Sequence, residues 1–150
     1  VRRYDEAVKA FREALDLNPA QGIAVINIVN ALALAGREEE AIEMLRSRWK
    51  KNNEYVKAIN EGYTEAGFKG AMRKLADLSA ENTKTTNVNQ MGPAQYYSWI
   101  GDVDNALYWF EKAYEEQDPN LPYLLIPVYD GLRDDPRFQE IARKMNLPYK

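Results

Sequence analysis

Asp130, Asp134 and Asp135 crowd into the segment DGLRDDPRF. Carboxylates so close together are the raw material of a hard-cation site. The segment lacks the glycine and bidentate-glutamate spacing of a calcium loop. Asp135 followed by Pro136 instead reads as a helix N-cap with proline at the first helical position. No metal site is expected there. The remaining chemistry is bounded by absences, since the 150 residues contain neither histidine nor cysteine. Ser-His-Asp triads, Cys-His dyads and the usual zinc ligand sets are thereby excluded. Catalysis would have to rest on carboxylates, lysine, tyrosine or hydroxyls, and no motif places two carboxylates as an acid–base couple. No catalytic residue and no cofactor is assigned, and an enzyme is not expected.

Three stretches could bind rather than react. RSRWKKNN (46–53) interleaves Trp49 with basic residues, a pattern suited to single-stranded nucleic acid. Cations are favoured at a helix C-terminus in any case, and the chain is net acidic at −3. A nucleic-acid partner is not expected. GFKG (67–70) matches a GxxG single-strand-binding loop, but that module needs an adjacent sheet. Its glycines read better as a tight turn between helices. The third stretch, DNALYWFEKAYEEQDP (104–119), sets Tyr108, Trp109 and Phe110 side by side. Its spacing recurs: Ala106, Phe110 and Ala113 repeat the identities and intervals of Ala7, Phe11 and Ala14, one face of an α-helix. A small–large–small ridge lets a partner helix approach closely at the alanines. The stripe of Val103, Ala106, Leu107, Phe110, Ala113 and Tyr114 is therefore expected to be core, with Trp109 on its edge and Tyr108 pointing away.

The elements that carry these residues read as helix after helix. Residues 21–35 form an apolar helix stopped by Gly36. The next opens on Glu38, Glu39 and Glu40 and closes on Arg46, Arg48, Lys50 and Lys51, complementing the helix dipole at both ends. Helices are predicted over 54–66, 70–81 and about 93–100, with a loop at 82–92. Gly101 breaks the chain before the helix that starts at Asp102 or Val103. LPYLLIPVYDGL (121–132) is apolar but holds two prolines, which forbid a regular helix or a central strand. Phe138, Ile141, Ala142 and Met145 mark the buried stripe of a final helix. No strand is evident, and no apolar run approaches the roughly 20 residues that cross a bilayer; no membrane partner is expected.

Ala41 and Leu45 follow Ala7 and Phe11 by 34 residues. With the ridges, Gly36 and Gly101 ahead of second helices, and Pro19 after one, the chain resembles the tetratricopeptide repeat. The resemblance implies an all-α, right-handed α-solenoid of antiparallel helix pairs, stacked because no pair can bury its apolar face alone. Residues 1–19 correspond to the second helix of a repeat and 20–53 to a full repeat, although Arg48 and Asn53 replace the family's Ala and Pro. Residues 54–91 are an irregular helix pair plus loop, and 92–119 are again a repeat. Residues 120–150 give the proline-broken segment and a capping helix. The tail is similar to the C-terminal end of bacterial multidomain proteins of this family, which carry an N-terminal effector domain. Val1 is not an initiator Met and the chain opens in helix, as expected for a segment of a longer, cytoplasmic protein.

The resemblance implies a concave groove lined by first helices, and its function would be protein interaction, a scaffold holding a peptide or protein segment. Ile23, Ile26, Asn27 and Asn30 would face it from one helix, and Lys57, Asn60, Glu61 and Thr64 from the next. Asparagine side chains can both donate to and accept from an extended peptide backbone. Asn27 and Lys57 fall where peptide-carboxylate-clamping members keep an Asn and a Lys, but Glu61 stands in place of their Arg and would repel a carboxylate. The competing expectations are a structural module, self-associating through Val8, Phe11 and Leu15 on its N-terminal face, and a ligand-sensing domain attached to an effector.

Overall fold

Apolar residues at helical spacing and glycine at the stops produce helices throughout the computed structural model, which describes residues 3–18, 22–86 and 91–148. In order these are α1 (Tyr4–Leu17), α2 (Gly22–Leu34), α3 (Glu38–Trp49), α4 (Asn53–Thr86), α5 (Met91–Ile100) and α6 (Val103–Glu115). Two 3₁₀ segments follow, Leu121–Leu125 and Pro127–Leu132, and then α7 (Pro136–Lys144). No strand occurs among the described residues, so the fold is all-α. Residues 1–71 and 72–150 form two compact units.

In the first unit α2 packs against both α1 and α3. Its Ile28, Val29 and Leu32 are fully buried against the Ala41, Ile42 and Leu45 stripe type of core. Mean apolarity all round suits a helix covered on two sides. Gly36 ends α2 at φ +74°, and the Arg37 amide reaches back 2.9 Å to the Leu32 carbonyl. That closure satisfies carbonyls that would otherwise be orphaned. Asn52 then caps α4, its side-chain oxygen accepting from the amides of Glu54 and Tyr55. The turn expected at GFKG appears as a break inside α4: Ala66 and Gly67 leave helical geometry, and Gly67 takes φ +60°. Only Gly67 of that motif makes the break; Gly70 lies back in helix, packed on Gly62.

The loop expected over 82–92 is corrected at both ends. Helix α4 runs on to Thr86 and α5 already begins at Met91. Residues 87–90 lie outside the described residues. Polar, β-branched composition misled here because Ser79, Ala80 and Thr83 are buried, and burial outweighs weak propensity. The Thr85 hydroxyl also satisfies itself by donating to the Asn82 carbonyl at 2.8 Å.

In the second unit α5 and α6 pair, Asp102 capping α6 through the Asn105 amide. Ala106, Leu107, Phe110 and Ala113 are buried as expected, whereas Val103 is half-buried. Two further residues depart from the expectation. Trp109 is fully core at 5% exposure, and Tyr114 is 37% exposed because it sits at the helix's last turn. Phe110 meets Tyr129 and Phe138 edge-on, at centroid distances of 4.9 and 6.2 Å. The proline-broken tail folds as the two 3₁₀ segments, each with proline in its first turn. Asp135 caps α7 by accepting from the Arg137 amide at 2.8 Å. Phe138, Ile141 and Ala142 are buried and Met145 half-buried. The tail thus covers the ridge face of α6 within this unit.

Candidate protein-interaction site

The residues expected to line a groove belong to α2 and the first half of α4, both in the first unit. Ile26 and Asn27 are half-buried, and Lys57, Asn60, Glu61 and Thr64 are exposed. The Ile23 side chain lies outside the described residues. Asn30 requires a correction: at 7% exposure it is buried, not open to water. A turn further along an apolar helix carried it from the rim into the packing, and a buried amide is a structural group first.

The exposed members are already engaged. Lys57 lies 3.7 Å from Glu61, the acid one turn along the helix. Asn60 accepts from Arg46 Nε at 2.9 Å, a tie from α3 to α4. Thr64 donates its hydroxyl to the Asn60 carbonyl. Arg46 additionally pairs with Glu43 and lies 5.6 Å over the Tyr63 ring. Charge on this surface is therefore nearly balanced, and Glu61 cancels the local bias that Lys57 alone would give.

A feature not anticipated is an open cleft of about 480 Å³ lined by Arg12, Glu39, Glu43, Met44, Arg46 and Tyr63 among others. Its lining comes from α1, α3 and α4, and none of the expected groove residues is part of it. Its edge is held by charges: Arg37 grips Glu40 through two hydrogen bonds of 2.7 and 2.8 Å and reaches Asp5 at 2.7 Å. Arg12 approaches Glu40 at 3.4 Å. The Arg37 bond holds the Glu40 carboxyl below the usual carboxylate range, outweighing partial desolvation. The signal was present in the sequence as Glu39 and Glu43 at helical spacing beside Met44, but a charged helix face ordinarily reads as solvated surface.

In the second unit a polar cluster replaces any simple surface. Tyr97 donates its hydroxyl to Asp77 at 2.7 Å, and Arg73 lies 5.6 Å over the Tyr97 ring. Burial first, and then the Asp77 bond, push the phenol well above its usual range. Arg73 also pairs with Asp102. The RSRWKK aromatic is likewise used internally: Trp49 stacks on Tyr55 at 3.9 Å and 21°. Among the described residues no group of His, Cys, Asp or Glu is placed to hold a metal ion. No helix among them is long and apolar enough to cross a membrane.

Helices joined by short connections pack in successive pairs within each unit, α1 on α2 and α2 on α3 in the first and α5 on α6 in the second, the helix-pair arrangement of a helical-repeat fold. Residues 2–59 match the family model for the tetratricopeptide repeat. That match runs from α1 to the start of α4 and takes in the ridge of Ala7, Phe11 and Ala14 and its 34-residue interval to Ala41 and Leu45. The chain is also 24% identical over 155 aligned positions to an Hsp70-Hsp90 organising protein of Plasmodium falciparum, covering 89% of this chain and 58% of the relative. A second Hsp70-Hsp90 organising protein, from isolate 3D7, matches at the same identity with 26% of its length covered. The chain thus spans less than two-thirds of either relative. No solved structure matches it.

Proposed function

We propose that this chain is a protein-interaction module that holds a segment of a partner protein against α2 and the first half of α4. The observation that carries the reading is the repeat match over residues 2–59, because it spans the helices bearing Ile26, Asn27 and Lys57. The relatives' name, an organiser of two other proteins, supports a protein as the ligand class. The half-buried Ile26 offers contact area, and Asn27 offers a donor and an acceptor for a partner's backbone. Lys57 is opposed by Glu61, so recognition through a terminal carboxylate is not favoured.

A photo-crosslinking residue placed at Lys57 in cells should capture a discrete protein adduct. The same residue at Glu13, on the exposed side of α1, should not. Equal labelling from both positions, or none from Lys57, would remove the assignment of this surface.

A further inference from the structure

The exposed face of α6 is both charged and aromatic. Asp104, Tyr108, Glu111 and Glu115 follow one another at helical spacing, and all are exposed. Tyr108 is 47% and Tyr114 37% exposed, three residues to either side of Glu111. Tyr108, Glu111 and the outer part of Tyr114 thus share one exposed stretch of α6. Beside them α6 and α7 form a cleft of about 420 Å³, lined by Glu111, Tyr114, Glu115, Glu140, Ile141 and Lys144 among others.

We propose that this face and cleft dock a lysine- or arginine-bearing segment of a partner protein. The partner's cation meets Glu111, and its aliphatic stem lies along Tyr108 and Tyr114. Charge complementarity selects that occupant. The cations bordering the face are already matched: Lys112 to Glu115 at 2.6 Å, Arg137 to Asp104 at 2.8 Å and Asp135 at 2.9 Å, and Lys144 to Glu140 at 3.7 Å. Glu111 pairs with no cation among the described residues. An acidic segment would therefore find no unmatched cation among the described residues of this face, and a purely apolar one would strip water from Glu111 without replacement. Within the molecule the Tyr114 ring already takes a cation, since Lys144 Nζ lies 5.6 Å over it. A ring face and a carboxylate acting together on one ammonium or guanidinium is the chemistry such a side chain fits best. The surface lies in the second unit, beyond residues 2–59, and stands independently of the groove on α2 and α4.

The test is fluorescence anisotropy of labelled octa-lysine titrated with the full chain. Saturable binding is expected. Glu111→Lys should weaken it at least about fivefold, and Tyr108→Ala with Tyr114→Ala about threefold. Glu39→Lys makes the same change of net charge at an exposed site in the first unit and should leave binding within about 1.5-fold. Absence of saturable binding would overturn the proposal, as would equal weakening by Glu39→Lys and Glu111→Lys. Octa-glutamate binding as tightly as octa-lysine would overturn it too. An unchanged thermal melt for Glu111→Lys keeps a binding loss from being a folding loss.

Discussion

Gly62 and Gly70, one on each side of the break in α4, touch backbone to backbone. A Cβ on Gly62 would stand 2.6 Å from the Gly70 carbonyl carbon and 2.7 Å from the Ala71 Cα. A Cβ on Gly70 would run into the Gly62 carbonyl in turn. The sharp reversal that Gly67 permits is thus completed only because neither helix segment carries a side chain where they cross.

Gly62→Ala and Gly70→Ala should each destabilise by at least about 2 kcal/mol, since rigid backbone rather than a side-chain tip must yield. Denaturant melts would measure this. Gly131→Ala is the control, because a Cβ there meets nothing within 4 Å. If all three variants melt alike, the close crossing is wrong.

Phe110 anchors the second unit, fully buried and met edge-on by Tyr129 and Phe138. Phe110→Ala should cost about 3–5 kcal/mol, and Ala106→Leu about 1–3 kcal/mol through overpacking. Deleting 121–150 removes both partner rings and should produce aggregation. A truncated chain that stays monomeric with an unchanged melting temperature would show that the tail does not cover α6.

Four helices end in the same left-handed closure, two at Gly36 and Gly101 and two at Gln117 (φ 54°) and Asn146 (φ 52°). Gln117 is the misfit, because a side chain in that conformation costs roughly 1 kcal/mol that glycine avoids. Gln117→Gly should therefore leave stability unchanged or raise it by up to about 1 kcal/mol, the gain limited by added freedom in the unfolded chain. Gly101→Ala should lower it by about 1 kcal/mol, although a Cβ there meets nothing. Paired thermal melts decide the matter, and a stabilised Gly101→Ala would be the contrary result.

The ridges, glycine stops and caps were legible because each follows from residue type at fixed local spacing. Asp135, Gly36 and Gly101 all act as their positions implied. What escaped was tertiary. Thr83 belongs to a helix because it is buried, which its composition could not reveal. Asn30 and Asn27 share an apolar face in the sequence, and only packing decides that one is sealed in and the other reaches the surface. The α1–α3 cleft was hidden for the opposite reason, since its carboxylates look like ordinary solvated helix.

Acid should loosen the second unit through Asp102. Burial alone would raise this carboxyl, but hydrogen bonds from Asn105 and Arg73 outweigh it and hold the folded value below the ordinary range. The stabilisation is therefore fully present above the unfolded value of about 4 and is lost as pH falls through the folded one. Asp102→Asn keeps a capping oxygen while removing the charge. Its melting temperature should depend less steeply on pH below about 5 than that of the unaltered chain. Parallel pH slopes for the two would show that Asp102 is not a source of the acid sensitivity.

The contrast between Asn27 and Asn30 separates binding from folding on one helix. Asn30 is buried, so Asn30→Ala removes a polar group from the packing of the first unit and leaves a gap. Its cost should be about 1–3 kcal/mol, because whatever the amide satisfies becomes an unsatisfied buried group. Asn27 is half-buried, and Asn27→Ala should change stability by no more than about 0.5 kcal/mol, as for most partly exposed positions. If α2 faces a partner, Asn27→Ala should instead weaken the crosslinked complex captured from Lys57, by about 0.5–1.5 kcal/mol per hydrogen bond lost. Melts of the two single variants beside the crosslinking yield of Asn27→Ala decide it. An Asn27→Ala protein that melts normally and crosslinks normally would leave α2 as packing alone and move the partner to another surface.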